Sequence, residues 1–425
     1  MLEAVRRGAF ADQALERHAA ALTAADRRLA QELAYGVLRL RGRLDHILDR
    51  LVDGGVGRLD PEVLDALRLG AYQLLELDRV PAYAAVSQAV ESVKRGASRR
   101  AGAAALVNAV LRRLGDGSYE SFAFPDPDRD HVGWLASWGS HPRWLVERWL
   151  ERWPAEEVDR LVDYNNRRPG VYLTAIHDRE EALARLAEAG IAGRAADGSI
   201  HSVEIDPGNV VAALDRVAAV VQDPAAATVV DYMGLDPGVP VADLCAAPGG
   251  KAALLASRGH AVRAFDVSAT RLERLRSNRS RLGLEEMQIV VADATRPPLS
   301  RAPIVLLDVP CTGTGTLARH PDARWRLDRS NLEALIDLQR RLLDSAARLI
   351  EPGGLLVYAT CSLEPEENEG QVEEFLARQR AFELEPPPAS AVADELLGSR
   401  GELRVLPQRH EMDGAYAARL RRRAG

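Results

Sequence analysis

Cysteine is scarce in this 425-residue chain: there are only three, at positions 245, 311 and 361. An odd number of widely spaced cysteines does not make the disulfide framework of a small secreted domain. The three also lack the C-x-x-C spacing of zinc ligands, so we expect no bound metal ion. We therefore expect reduced thiols and a cytoplasmic protein.

Long apolar runs are absent as well. No stretch approaches the roughly 18 apolar residues that a transmembrane helix needs. The amino end, MLEAVRRGAF, lacks the apolar core of a signal peptide. We expect no membrane partner and a monomer, although the sequence does not determine the oligomeric state.

Positive charge does not dominate the chain, because the formal net charge is −7. This argues mildly against a nucleic-acid partner, since phosphate binding normally leaves a basic footprint. Several local clusters are nevertheless basic, and we take their members as candidate RNA contacts. The alternative for any single cluster, a solvated helix face, is the more common outcome. The candidates are Lys94, Arg95, Arg99, Arg100, Arg112, Arg113, Arg319, Arg324 and Arg326.

The length predicts more than one domain. Apolar residues recur every three or four positions through residues 1–125, which predicts an all-helical bundle. Asp60 followed by Pro61 is a typical helix start. Residues 126–232 are predicted to contain further helices and a small α+β module, and residues 233–425 form the third domain.

Five β-rich runs alternate with amphipathic stretches in this last part of the chain. Such alternation predicts right-handed crossovers and a mostly parallel sheet, that is, a doubly wound, Rossmann-like α/β domain. The runs cover residues 239–246, 261–268, 288–295, 303–310 and 354–361.

Ligands of such a sheet bind beyond the carboxyl ends of its strands. The first run ends in DLCAAPGGKA, which lacks the G-x-G-x-x-G and P-loop patterns, so no pyrophosphate cradle is evident. A nucleoside without phosphates fits better, and S-adenosylmethionine (SAM) is such a ligand. Asp266 is placed to accept hydrogen bonds from ribose hydroxyls and Asp293 from an adenine amino group. Tight turns also need glycine for structural reasons, so the glycine pair is weak support by itself. The predicted loop contacts are Cys245, Ala246, Ala247, Pro248, Gly249, Gly250 and Lys251.

Two thiols and a carboxylate lie at the ends of the fourth and fifth runs: Asp308 and Cys311 in DVPCTGTG, and Cys361 in ATCS. Neighbouring parallel strands should bring them into one cleft. A single buried cysteine is usually inert, but this combination favours methylation of cytosine at C5. A thiolate that adds to C6 makes C5 nucleophilic. The reaction also needs a carboxylate near N3 and N4, which stabilises the adduct, and a group that helps to release the enzyme. The pattern does not decide which thiol attacks.

These motifs resemble those of the RNA cytosine-5 methyltransferases. The whole chain resembles the Sun branch of that family, also called RsmB or Fmu, which methylates 16S ribosomal RNA. The resemblance is carried by DLCAAPGGKA, DVPCTGTG, ARHPDARW, ATCSLEPEENE and MDGAYAARL, in that order. The segments ELAYGVLRLRGRLD, VPAYAAVSQAVESVKR and LVNAVLRR resemble the RNA-binding fold of the antitermination factor NusB.

The resemblance implies a multidomain fold: an N-terminal NusB-like helical bundle, a small α+β linking module and a C-terminal class I SAM-dependent methyltransferase. It implies that Cys361 is the nucleophile and that Cys311 assists product release. It also implies that the loop from Cys245 to Lys251, with Asp266, Asp293 and Asp308, holds SAM. Thr312 replaces the usual serine of the P-C motif and keeps its hydroxyl.

Three alternatives remain. A tRNA target would give the same active site. An adenine amino-methyltransferase would need an Asn/Asp-Pro-Pro-aromatic turn, where this chain has DVPC. A non-catalytic RNA-binding factor would have no reason to retain both thiols. We further expect the acids Glu366, Glu367 and Glu369 to lie at the start of a helix, where they favour its dipole.

Overall fold

The computed structural model describes residues 1–96, 102–117, 119 and 122–424. The chain forms two compact units. The first contains residues 1–168 and the segment 317–326, and the second contains residues 169–316 and the chain from residue 327 onward. None of the helices in the described ranges is long and apolar enough to cross a membrane.

The first unit is helical, as predicted for residues 1–125. Its α5 begins at Pro61, after the Asp60 cap position. Leu48, Leu67 and Leu111 from three of its helices are fully buried in a common core. The helices are α1 (Leu2–Arg6), α2 (Ala11–His18), α3 (Ala24–Arg39), α4 (Arg41–Leu51), α5 (Pro61–Glu76), α6 (Ala82–Arg95), α7 (Ala103–Gly115), α8 (His131–Ser137), α9 (Arg143–Leu150) and α10 (Ala155–Asn166).

A small α+β module opens the second unit. Its antiparallel strands pair in the order β2-β3-β1-β4. Leu173 and Val203 from the sheet pack with Leu186 from a helix. The elements are β1 (Val171–Ala175), α11 (Arg179–Glu188), β2 (Gly193–Ala195), β3 (Ser202–Ile205), α12 (Val210–Leu214) and β4 (Ala219–Val221).

A larger, mostly parallel sheet follows and confirms the Rossmann-like prediction. Its strands are ordered β10-β12-β9-β8-β5-β6-β7, with β11 paired to β12. The strands β5 to β9 pair in parallel, whereas β10, β11 and β12 are antiparallel to their partners. The elements are α13 (Pro224–Met233), β5 (Val241–Asp243), α14 (Gly250–Ser257), β6 (Val262–Asp266), α15 (Ala269–Arg281), β7 (Gln288–Val291), β8 (Ala302–Asp308), α16 (Ala323–Arg326), α17 (Arg329–Leu349), β9 (Ile350–Thr360), α18 (Glu369–Arg378), β10 (Phe382–Glu385), β11 (Leu403–Val405), α19 (Pro407–His410) and β12 (Ala415–Arg422).

Helices cover both faces of this sheet. Alternate residues of a strand point to opposite faces, so Val305 and Leu307 of β8 join one core while Ile304 and Leu306 join the other. The first core includes α17 and α18, and the second includes α13, α14 and α15. Burial on both faces explains why these strands are continuous apolar runs in the sequence.

The segment 317–326 is part of the helical unit, and Arg324 of α16 is its most buried charged residue, with 0% of its surface exposed. The prediction that Arg324 contacts RNA is wrong, because every hydrogen bond of its guanidinium goes to a protein acceptor. The acceptors are the backbone oxygens of Arg39, Ser140, Asn165 and Leu317 and the side-chain oxygen of Asn166, at 2.9 to 3.3 Å.

Replacement of this guanidinium should destabilise the protein. Arg324→Met keeps the length of the side chain but leaves several buried oxygens without donors. Each such group costs about 1–3 kcal/mol, so we expect the free energy of unfolding to fall by at least about 3 kcal/mol. Urea unfolding of the full-length chain measures this change.

Arg112→Met, on the exposed side of α7, is the matched control and should change stability by less than about 0.5 kcal/mol. Normal stability of Arg324→Met would show that the hydrogen bonds of this guanidinium are not needed to stabilise the helical unit.

Candidate active site

The loop from Cys245 to Lys251 connects β5 to α14. Gly249 has a φ of +106°, and a Cβ there would lie 2.2 Å from Cδ1 of Leu275. A Cβ at Gly250 would lie 2.7 Å from Oε1 of Gln222. The glycine pair is therefore required by the packing of the loop against the protein itself. The first backbone N–H groups of α14 begin at Gly250, and such groups have no partners within their helix.

Asp266, at the end of β6, fixes this loop in place. Only 4% of its surface is exposed, and its carboxylate accepts hydrogen bonds from the backbone N–H of Ala247 at 3.1 Å and of Ser268 at 2.9 Å. Arg271 donates to the backbone oxygen of Ala247 at 2.6 Å. Asp266 thus couples the ends of β5 and β6, and any ligand contact it makes must use its remaining lone pairs.

Asp293 follows β7 at the same edge of the sheet and is exposed. Its carboxylate accepts from the backbone N–H of Thr295 at 2.8 Å, and hydrogen bonds from Thr295 hold its pKa below the usual range. An ionised, accessible acceptor at this position is compatible with the predicted contact to an amino group.

Asp243 is an acid of this site that the sequence analysis did not select. It is 1% exposed at the end of β5, and burial raises its pKa to about 8. Its carboxylate accepts from the backbone N–H of Cys245 at 3.3 Å. Burial also raises the pKa of the Cys245 thiol well above its usual value, which keeps this thiol neutral. The sequence could have identified Asp243, because it is the last residue of its strand, as Asp266 is.

The residues around the loop fit a nucleoside cofactor that also carries an amino acid group. Within the described ranges, the buried Oε1 of Gln222 has no hydrogen-bond partner, and it lies next to Gly250. Buried polar atoms normally have partners, so this oxygen is suited to a donor supplied by a ligand. Together with Asp266 and Asp293 it forms a set of acceptors beyond the carboxyl ends of parallel strands, as SAM would require.

The two predicted thiols lie side by side. Strands β8 and β9 pair in parallel, with Asp308 opposite Ala359. The Sγ atoms of Cys311 and Cys361 are 3.3 Å apart, and both residues are half-buried. The two thiols are therefore adjacent, as the parallel strands predicted, whereas the cleft that they face and the role of each remain predictions.

A half-buried ion pair lies close to these thiols. Nζ of Lys251 donates to Oδ2 of Asp308 at 2.7 Å. Burial by itself would lower the pKa of Lys251, but the charge and hydrogen bond of Asp308, with a contribution from Cys361, raise it above its ordinary value. Lys251 therefore stays charged, close enough to interact electrostatically with the Cys361 sulfur.

The expectation for the acids after Cys361 is half right. Glu369 lies in the first turn of α18, 3.6 Å from Arg404. Glu367 precedes the helix, and its side chain points into the interior. It is 0% exposed and accepts hydrogen bonds from Thr312 and Ser362. The expectation failed because these donors offset the burial of the carboxylate, and they belong to loops that only the fold brings together.

The basic candidates for RNA contact have different environments. Two pairs are exposed on the helical unit: Lys94 and Arg95, which both pair with Glu91 on α6, and Arg112 and Arg113 on α7. Arg99 and Arg100 lie outside the described residues. Arg319 is half-buried, and Arg326 pairs with Asp322 at 2.9 Å and lies over the ring of Phe10.

Comparison with protein families gives matches along most of the chain. Residues 233–421 match the model described as 16S rRNA methyltransferase RsmB/F. Residues 1–116 match the NusB family, and residues 141–211 match the ferredoxin-like domain of RsmF/B-like methyltransferases.

Similar proteins cover nearly the whole length. The probable ribosomal RNA small subunit methyltransferase B of Synechocystis sp. is 34% identical over 97% of this chain and 94% of its own. The ribosomal RNA small subunit methyltransferase B of Pasteurella multocida is 35% identical over 93% of this chain and 88% of its own. Among solved structures, PH0851 has a TM-score of 0.78 and 28% identity, covering 96% of this chain and 93% of its own.

Proposed function

The chain belongs to the RsmB/F family of 16S rRNA methyltransferases, and from this premise we propose that it methylates C5 of a cytosine in small-subunit ribosomal RNA. The observation that carries the proposal is the pair of sulfurs 3.3 Å apart, next to the Lys251–Asp308 ion pair. When bound, SAM supplies the electrophilic methyl group.

In the proposed mechanism Cys361 is the nucleophile. C5 of cytosine is unreactive because the ring is aromatic and electron-poor. The Cys361 thiolate forms a bond to C6, which gives C5 the electron density to take up the methyl group. Loss of the C5 proton to a base then lets the C6–sulfur bond break, which restores the aromatic ring and the thiolate. Cys311, in contact with the same sulfur, assists this release.

The ion pair has two roles in this scheme. The Asp308 carboxylate accepts a hydrogen bond from the exocyclic amino group of cytosine, and Lys251 holds that carboxylate in position at 2.7 Å. The Lys251 cation also pairs electrostatically with the Cys361 thiolate. Charges that are fixed before the reaction need no reorganisation during it.

The substrate is proposed to be RNA that the helical domain helps to bind. The NusB-family match and the exposed pairs Lys94–Arg95 and Arg112–Arg113 support this role.

The proposal also includes three domains, at residues 1–125, 126–232 and 233–425, and a cytoplasmic monomer. The target cytosine must be unstacked before attack, which favours a loop or bulge, or a base flipped out at a cost of a few kcal/mol.

Replacement of Cys361 by serine should abolish methyl transfer but leave SAM binding intact. Serine lacks a nucleophilic thiolate, whereas the loop from Cys245 to Lys251 is unchanged. We expect no detectable methylation of RNA and a Kd for SAM within about twofold of wild type, measured by calorimetry. Normal turnover by Cys361→Ser would remove Cys361 as the nucleophile.

Replacement of Cys311 by alanine should trap the enzyme on its product. The C6–sulfur bond forms but is released slowly, so a covalent protein–RNA complex should survive a denaturing gel. The double variant Cys311→Ala/Cys361→Ser is the control and should give no shifted band. Absence of the band with Cys311→Ala and cytosine-containing RNA would leave Cys311 without its proposed role.

The class of RNA that is methylated distinguishes the proposed 16S rRNA substrate from the tRNA alternative. Bisulfite sequencing of total RNA from a deletion strain and its parent should show one 5-methylcytosine lost from 16S rRNA and none lost from tRNA. Complementation with the wild-type gene should restore the mark, and the Cys361→Ser gene should not. Loss of a tRNA mark with intact 16S rRNA would establish the alternative.

A further inference from the structure

The Glu367 carboxylate lies between the two cysteine loops. Thr312 directly follows Cys311, and Ser362 directly follows Cys361. Oε1 of Glu367 accepts from the backbone N–H of Thr312 at 2.9 Å, and Oε2 accepts from the hydroxyls of Thr312 and Ser362. One buried side chain therefore contacts the residue after each thiol.

Every contact of this carboxylate comes from a donor. The backbone N–H of Thr312 and the amide of Gln339, at 2.8 Å, can only donate to it. The Ser362 hydroxyl accepts from the backbone N–H of Glu364 at 2.9 Å and donates to Oε2 of Glu367. Four donors and no acceptor are the environment of an ionised carboxylate. Burial raises the pKa of Glu367 above its ordinary value, and these hydrogen bonds reduce the shift without reversing it.

Neighbouring residues brace the same two loops. Gln339 of α17 also donates to the backbone oxygen of Pro310 at 2.9 Å, just before Cys311. Asn368 accepts from the Thr360 hydroxyl at 2.6 Å and donates to the backbone oxygen of Ser362 at 2.9 Å, on either side of Cys361. The clamp, defined as Glu367, Gln339 and Asn368, thus holds the chain on both sides of each sulfur.

The charges around the two sulfurs differ in sign. Lys251 from α14 interacts with one sulfur, and Glu367 from the turn before α18 interacts with the other. Lys251 interacts with the Cys361 sulfur, and its positive charge is already paired with Asp308. Cys311 instead experiences the negative charge of Glu367.

We propose that Glu367 is a positioning residue that sets the spacing of the two sulfurs and makes them chemically unequal, because its carboxylate lies on the Cys311 side and keeps Cys311 as the neutral thiol. The assignment of nucleophile and assistant rests on the proposed function; the inequality of the thiols does not. The hydrogen bond to Cys361 and burial raise the pKa of the Cys311 thiol well above its usual value, and Glu367 adds to that shift.

Selective alkylation of the full-length protein tests the inequality without RNA or SAM. Iodoacetamide labelling followed by peptide mass spectrometry gives the rate at each cysteine. In the wild type Cys361 should react much faster than Cys311. In Glu367→Gln the rate at Cys311 should rise at least about twofold relative to that at Cys361, because loss of the Glu367 charge lowers the pKa of the Cys311 thiol and increases its thiolate fraction.

Two internal comparisons make this result specific. Glu369→Gln removes the same charge from the first turn of α18, where the partner is Arg404, and should leave the ratio unchanged. Cys245 reports general loosening of the fold and should keep its slow rate. An unchanged ratio in Glu367→Gln, or a rise at all three cysteines, overturns the proposal.

The spacing is tested by a second pair of variants, which also serves if Glu367→Gln does not fold. Phenylarsine oxide binds two thiols only when they lie close together. Thr312→Val removes one hydroxyl donor to Glu367 and should weaken binding of this reagent at least about tenfold, as for the loss of a hydrogen bond to a charged group. Thr312→Ser keeps the hydroxyl and should bind normally. Equal binding by both variants overturns the clamp.

Methyl-transfer assays on the same proteins distinguish the two proposals. A wild-type enzyme with strongly unequal thiols but no activity on any RNA would contradict the proposed function and leave the inference intact. An active enzyme whose thiols react equally would contradict the inference only. Glu367→Gln should form the covalent RNA complex yet turn over slowly, a split between adduct formation and release that simple unfolding would not produce.

Discussion

The parallel pairing of β8 with β9 is the constraint on which the site depends. Because both strands run the same way, the residues that follow them emerge at one edge of the sheet. The register places Asp308 opposite Ala359, and the short extensions beyond these residues bring Cys311 and Cys361 together. An antiparallel pairing, or an intervening strand, would separate the sulfurs. Lys251 and Asp308 reach the same edge from the neighbouring strand ends.

Much of the fold and the chemistry followed from local patterns. The strands β5, β8 and β9 are largely buried on both faces and therefore appear as apolar runs, whereas β7 at the sheet edge is only partly buried. Each of the strands β5 to β9 overlaps its predicted range. The predicted ends were less accurate: the first run was expected at 239–246, and the strand covers only Val241–Asp243. The edge where ligands bind was also predictable, because strand order does not alter where parallel strands end.

The errors concern charged residues whose partners are distant in sequence. Arg324 is 285 residues from Arg39, whose backbone oxygen it contacts, and Glu367 is 55 residues from Thr312. Charged side chains are almost always exposed unless paired, so the sequence favoured a surface position for both. Only the folded structure shows that the interior holds acceptors for Arg324 and donors for Glu367. For the glycine pair at 249 and 250, the structural alternative named in the sequence analysis holds, because a side chain at either position would contact Leu275 or Gln222.

The participation of residues 317–326 in the helical unit has a consequence for biosynthesis. A ribosome releases the chain from its amino end, and early domains usually fold first. Here the segment that carries Arg324 is made about 150 residues after α10 is complete. Until it emerges, the carbonyl oxygens of Arg39, Ser140 and Asn165 lack the donor that they have in the finished protein. The helical unit therefore completes these buried hydrogen bonds only after a late part of the polypeptide has been made.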